Sequence, residues 1–150
     1  MQMLQHQQWV YFALVVFGII AYIAFIRWRD RRWIEARFGS QNVRAMSFGV
    51  NYWGRATEPG KPRRSAGFLL LLPDRLFYRS RIKKIELEIP GSKIARVYHD
   101  RHHKGVELHQ SLVKIDFLNP EGKRDTAAFK VPYPPQWISA IEQTLLKKNA

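Results

Sequence analysis

The chain has 150 residues, no cysteine, and 25 Lys and Arg against 12 Asp and Glu, a formal net charge of +13. Lack of cysteine excludes a disulfide framework, thiolate metal sites and cysteine nucleophiles together. The length allows one compact domain beside a membrane segment and leaves no room for a second, while the positive balance favours anionic partners: lipid headgroups, nucleic acid or acidic proteins.

From Trp9 to Ile26 the chain reads WVYFALVVFGIIAYIAFI, eighteen residues without a charge. A helix of that length covers about 27 Å, close to the hydrocarbon thickness of a bilayer. Trp9 and Trp28 bracket it, where amphipathic rings prefer the headgroup level. A cleaved signal peptide is the rival reading, but MQMLQHQQ has no Lys or Arg, and the apolar run ends in the cationic stop RWRDRRW. The expected division is a short extracytoplasmic tail (1–8), a transmembrane helix (9–26), a basic juxtamembrane segment and linker (27–42), and a soluble domain (43–150).

Arg27, Arg29, Arg31, Arg32 and Arg37 follow the apolar run, and positive flanks stay cytoplasmic, so the N-terminus should face outward and the domain inward. Against Asp30 and Glu35 these five arginines leave a net +3, so +10 belongs to the domain itself. Helical pattern continues through RWRDRRWIEARF, with Trp28, Trp33 and Phe38 as interfacial anchors, and Gly39 to Asn42 reads as a stop and linker. Four residues after Gly18 comes Tyr22, too bulky for a small-xxx-small pair. A homodimer through this helix therefore has no motif behind it.

Beyond residue 42 the hydrophobic period changes to two. Met46, Phe48, Val50 and Tyr52 alternate with polar or small residues, as in a half-buried strand. Gly54 to Ser65, with Pro59, Gly60 and Pro62, reads as a loop. Gly67–Leu72 and Leu76–Ser80 flank Pro73-Asp74-Arg75 as a hairpin, and Ile85, Leu87 and Ile89 mark a strand ended by Pro90-Gly91. Further strands are expected at 94–98, 106–109, 112–117 and 126–131. Pro134 and Pro135 then open a helix whose apolar face is Trp137, Ile138, Ile141 and Leu145, with Lys147 and Lys148 in its last turn. The order, many antiparallel strands and then one helix, predicts a small barrel or sandwich plugged at one end.

The segment GFLLLLPDRLFY, residues 67–78, resembles the second-and-third-strand signature of the GRAM branch of the pleckstrin-homology superfamily. Glu88-Ile89-Pro90 followed by Ile94 and Val97 is similar to that family's strand ending in an I-P step, and Trp137 resembles the aromatic that plugs its barrel. The resemblance covers residues 43–146. It implies a bacterial-type PH/GRAM-like domain, a mainly-β barrel-sandwich of about seven antiparallel strands closed by a C-terminal helix.

Lipid-binding members of that superfamily carry basic residues along the first two strands and their loop. Here Lys61, Arg63 and Arg64 occupy the corresponding loop, but Phe68 to Leu72 adds no cation behind them, so no headgroup specificity carries over. A second basic run, Arg79, Arg81, Lys83 and Lys84, is expected to line one rim with Arg101, His102, His103 and Lys104. His99-Asp100-Arg101-His102-His103 reads as a strand-to-strand loop whose neighbouring cations repel a metal, leaving a pH-sensitive rim as the more modest reading. No P-loop, no G-x-S-x-G and no paired acid and base stand out, and Glu86 and Glu88 read as a solvated strand face. The expectation is a non-catalytic, membrane-anchored module without cofactor or metal. It would bind an anionic lipid surface or a protein partner at the membrane, nucleic acid being the least favoured. The alternative is a small structural or assembly subunit of a larger membrane complex.

Overall fold

A computed structural model describes residues 2–147, with side chains from residue 5 onward. Lys148, expected in the last helical turn, lies outside the described residues. The chain divides between Ser40 and Gln41 into two compact units.

The first unit is one helix, α1 (Gln2–Phe38), of 37 residues. It starts earlier than expected: the segment read as a tail is already helical from Gln2. Polar residues such as Gln2, Gln5, Gln7 and Gln8 are adequate helix formers, and the apolar run behind them supplies the nucleus. Helical pattern also runs on through the basic flank, where the rings and guanidinium groups support one another at helical spacing. Arg32 lies over Trp28 at 5.2 Å and Arg37 over Trp33 at 5.1 Å. Gly39 ends the helix as the linker reading requires: its φ of +76° is open to glycine, and its N–H donates to the Glu35 carbonyl at 3.0 Å. Gln5–Phe38 is long and apolar enough to cross a membrane.

The second unit is a seven-stranded antiparallel sheet with a helix after it. Its strands are β1 (Ala45–Arg55), β2 (Ser65–Leu71), β3 (Arg75–Ser80), β4 (Glu86–Pro90), β5 (Ile94–His103), β6 (Val106–Leu118) and β7 (Arg124–Lys130). The spatial order β4-β3-β2-β1-β7-β6-β5 joins two meanders through β1. β1 can serve both because it is bulged twice, between Ser47 and Val50 against β2 and between Tyr52 and Arg55 against β7. Each bulge bends the strand and increases its twist.

One face of the curved sheet fills the interior. Val50 and Tyr52, Leu69 and Leu71, Leu76 and Tyr78, Val113, Ile115 and Phe117, and Ala127 and Phe129 come inward at every second position and are buried. At the centre, the Tyr52 ring sits 4.9 Å from Tyr78 and 5.1 Å from Phe129. The Tyr78 hydroxyl donates to the Ser65 carbonyl at 2.8 Å and meets the Ser65 hydroxyl at 2.9 Å, which satisfies a polar tip inside an apolar layer. Gly67 makes this approach of β2 to β3 possible: a Cβ there would lie 2.0 Å from the Arg79 carbonyl oxygen. Helix α2 (Pro134–Ile141) and the π-helical turn Glu142–Leu146 close the interior with Trp137, Ile141 and Leu145, all buried, and with Ile138 partly buried beside them.

Several boundaries differ from the sequence reading, and β7 begins at Arg124 rather than at residue 126. Segments 106–109 and 112–117 form a single strand, continuous through His109, whose φ of +55° makes a bend rather than a break. His99–His103 is not a loop but the end of β5, and the hairpin turn is Lys104-Gly105, both with positive φ as a two-residue turn requires. Gly54 and Arg55 belong to β1 and Ser65 to β2, so the first loop is shorter, residues 56–64. The β5–β6 hairpin projects past the rest of the sheet: β7 pairs with β6 only from Val113 onward. A polar, half-exposed arm of this kind lacks the strict alternation that marks a core strand.

Candidate functional site

The seven basic residues singled out in the domain fall on two neighbouring connections and the strand between them. Lys61, Arg63 and Arg64 are exposed on the β1–β2 loop, and Lys83 and Lys84 are exposed on the β3–β4 loop. The loops meet where the Lys83 ammonium donates to the Arg64 carbonyl at 3.3 Å. Their bases are joined as well, since the Arg81 N–H donates to the Ala66 carbonyl at 3.0 Å.

The cations are not equivalent. Arg79, on β3, faces Glu86 across the β3–β4 ladder at 3.8 Å. The Arg81 guanidinium donates to the Phe48 carbonyl at 2.8 Å, so it braces the loop base. Glu88 similarly lies 3.7 Å from Arg75. Glu86 and Glu88, read as a solvated face, are thus half of a cross-strand charge ladder. Lys61, Arg63, Arg64 and Lys84 are exposed cations around this braced base. Glu58 is the one carboxylate on the two loops, and it lies 3.4 Å from Arg55.

The β5–β6 arm reaches the same loop from the other side. Lys104 donates to the Glu58 carbonyl at 2.5 Å, and the His103 ring meets the Gly54 carbonyl at 2.9 Å. Of the four residues expected to extend the rim, Lys104 contacts the β1–β2 loop, while His103 is buried beneath it. Arg101 and His102 turn to their own hairpin: Arg101 lies 3.6 Å from Glu107, and His102 3.5 Å from Asp100. Backbone N–H groups of His102 and Arg101 both donate to Asp100, which lowers its carboxyl pKa, the His102 bond contributing most. Burial lowers the His103 pKa, with Lys114 and Lys104 adding repulsion. Its Nε2 therefore donates as N–H to Gly54, and Nδ1 is buried without a partner. Among the described residues no group of His, Asp and Glu is arranged to hold a metal.

A groove of about 610 Å³ lies elsewhere, over β5, β6 and β7, between Lys93, Ile94, Arg96, Phe117, Arg124 and Thr126. Its carboxylates are engaged. Asp116 accepts from Arg96 at 3.2 Å, Tyr98 at 3.2 Å and Thr126 at 2.7 Å, while buried Asp125 accepts from the Thr57 hydroxyl at 2.8 Å. The Arg96 guanidinium also lies 3.9 Å over the Tyr98 ring. These bonds tie the first loop and the three strands together.

The residues expected at a membrane interface all lie on α1: Trp9 and Trp28 are exposed, as are Arg27, Arg29, Arg31 and Arg32. No protein-family model and no curated protein matches the sequence. Solved structures do resemble it. A chain of the structure described as the 8S snRNP assembly intermediate superposes with TM-score 0.55 at 7% identity, over 71% of this chain and 84% of that one. The C-terminal domain of an unknown protein from Leishmania infantum gives TM-score 0.55 at 13% identity, over 81% of this chain and 98% of that one. The Vps36 N-terminal PH domain gives TM-score 0.49 at 14% identity, over 70% and 79%. At such identities the first two likenesses speak to the fold alone.

Proposed function

We propose that this chain is a single-pass membrane protein whose cytoplasmic PH/GRAM-like domain holds the β1–β2 and β3–β4 loops against an anionic bilayer surface. The observation that carries the reading is the meeting of the two basic loops at Lys83 and Arg64, with Lys61, Arg63, Arg64 and Lys84 exposed around that joint. The PH/GRAM-like assignment rests on the strand order with one closing helix and on the 67–78 segment, whose residues make β2, β3 and their hairpin. Membrane anchoring rests on the length and apolarity of α1.

Orientation follows from the arginines after Ile26, which favour the cytoplasmic side. A reporter fused after the C-terminus should therefore behave as cytoplasmic, and replacing the five flanking arginines by Gln should scramble that. A reporter on the far side of the membrane in the unmodified protein would reverse the orientation.

An anionic leaflet attracts each Lys or Arg near its surface by about 1 kcal/mol. A tethered domain has no need of recruitment, so a contact of this strength sets its orientation. In liposome co-sedimentation of residues 41–150, changing Lys61, Arg63, Arg64 and Lys84 together to Ala should remove about 4 kcal/mol of attraction, enough to abolish binding to acidic vesicles. Arg79→Ala should change binding far less, because Arg79 faces Glu86. Unchanged binding of the quadruple variant would remove the lipid role from these loops.

A further inference from the structure

The β3–β4 loop carries an apolar residue among its cations. Outside α1, Ile82 is the most exposed large hydrophobic side chain described, at 89%. Isolated exposed apolar residues are ordinary on protein surfaces. Three features separate this one. It follows Arg81 and precedes Lys83 and Lys84, so the tip reads basic-apolar-basic-basic, with Ile85 also exposed. The turn is held rather than loose: the Ser80 N–H donates to the Ile85 carbonyl at 2.8 Å, and the Lys83 N–H to the Ser80 hydroxyl at 3.2 Å. Lys84 adopts a left-handed φ of +51°, a conformation that non-glycine residues seldom take without tertiary reason.

We infer that Ile82 is a membrane-inserting tip, which enters the headgroup–acyl boundary of an anionic bilayer while the lysines beside it meet the headgroups. The inference deepens the lipid-surface reading above and rests on it. Charge complementarity selects the occupant: an apolar side chain ringed by cations fits a boundary that is apolar inside and anionic outside. Amphipathic lysine side chains can follow the tip, laying their methylenes along the apolar boundary with the ammonium in the headgroup layer.

The chain has no cysteine, so Ile82→Cys supplies a unique attachment point for an environment-sensitive fluorophore. The full chain is placed in nanodiscs of phosphatidylcholine, or of equimolar phosphatidylcholine and phosphatidylserine, where both faces remain accessible. In acidic discs the label should shift to the blue and be quenched by a nitroxide on the acyl chains; in neutral discs it should do neither. Independently, trypsin cleavage after Arg63, Arg64, Lys83 and Lys84 in the unlabelled protein reports whether the basic loops lie on the surface. Acidic discs should slow it, and Ile82→Ser should restore cleavage after Lys83 and Lys84 by roughly tenfold, the order of a lost apolar side chain. Protection from trypsin with no change at the label and no effect of Ile82→Ser would overturn the insertion and leave the electrostatic contact standing. Equal cleavage and equal emission in both discs would overturn both.

Discussion

His103 shows how one side chain couples the β5–β6 arm to the candidate surface. Its ring is buried, donates to the Gly54 carbonyl and faces Lys104 and Lys114, so the neutral form is favoured in the folded state. A folded pKa below the unfolded value of about 6.5 means that its contribution to stability is complete above that pH and is lost as pH falls through the lower folded value. Thermal melting of residues 41–150 should therefore weaken on acidification below about pH 6.5, and His103→Gln, which keeps a donor for Gly54, should flatten that part of the profile. An identical slope in the variant would assign the acid sensitivity to other groups. The pH sensitivity predicted for His103 lies within the packed base of the loop rather than on an exposed rim. Sequence alone did not separate buried His103 from exposed His102, because burial depends on Gly54, 49 residues away in the chain. Ile82 was missed because it lies inside the basic run from Arg79 to Lys84, between two expected strands, and its exposure follows from the turn geometry there.

Among the elements, the closing helix was legible and the long hairpin was not. Trp137, Ile141 and Leu145 recur at a spacing of four and are all buried, so an apolar face in the sequence became an apolar face on the sheet. Trp137→Ala should cost about 3–5 kcal/mol. That is a large share of a small domain's stability. Melting like that of the wild type would contradict the role of α2 in closing the interior of the sheet. Apolar runs on either side of Pro73-Asp74-Arg75 found β2 and β3, and alternation found β1 and β4. It failed on β5 and β6 beyond the paired sheet: His99 to His103 and Val106 to Gln110 form an arm with polar residues on both faces, bent at His109. The arginine-glutamate ladder of β3 and β4 was hidden for another reason. Which carboxylate opposes which arginine depends on strand register, and period alone leaves register open.

At the scale of the whole molecule, the chain combines a helix long and apolar enough to cross a bilayer with a domain that carries exposed cations on two adjoining loops. Each half of that description was visible in the sequence as composition. The adjacency was not, since Lys83 and Arg64 are 19 residues apart and come together only through the β2–β3 hairpin. If these loops meet an anionic leaflet, the attraction is electrostatic first and must be screened by salt, because the Debye length shrinks from about 10 Å at 0.1 M to about 3 Å at 1 M. The core of the domain is drawn from Val50 to Leu145, so residues 41–150 carry it intact. The most direct measurement is co-sedimentation of those residues with acidic and neutral vesicles across that salt range. The account predicts binding to acidic vesicles alone, falling away as salt rises; equal partitioning to both vesicle types, or binding indifferent to salt, would contradict it.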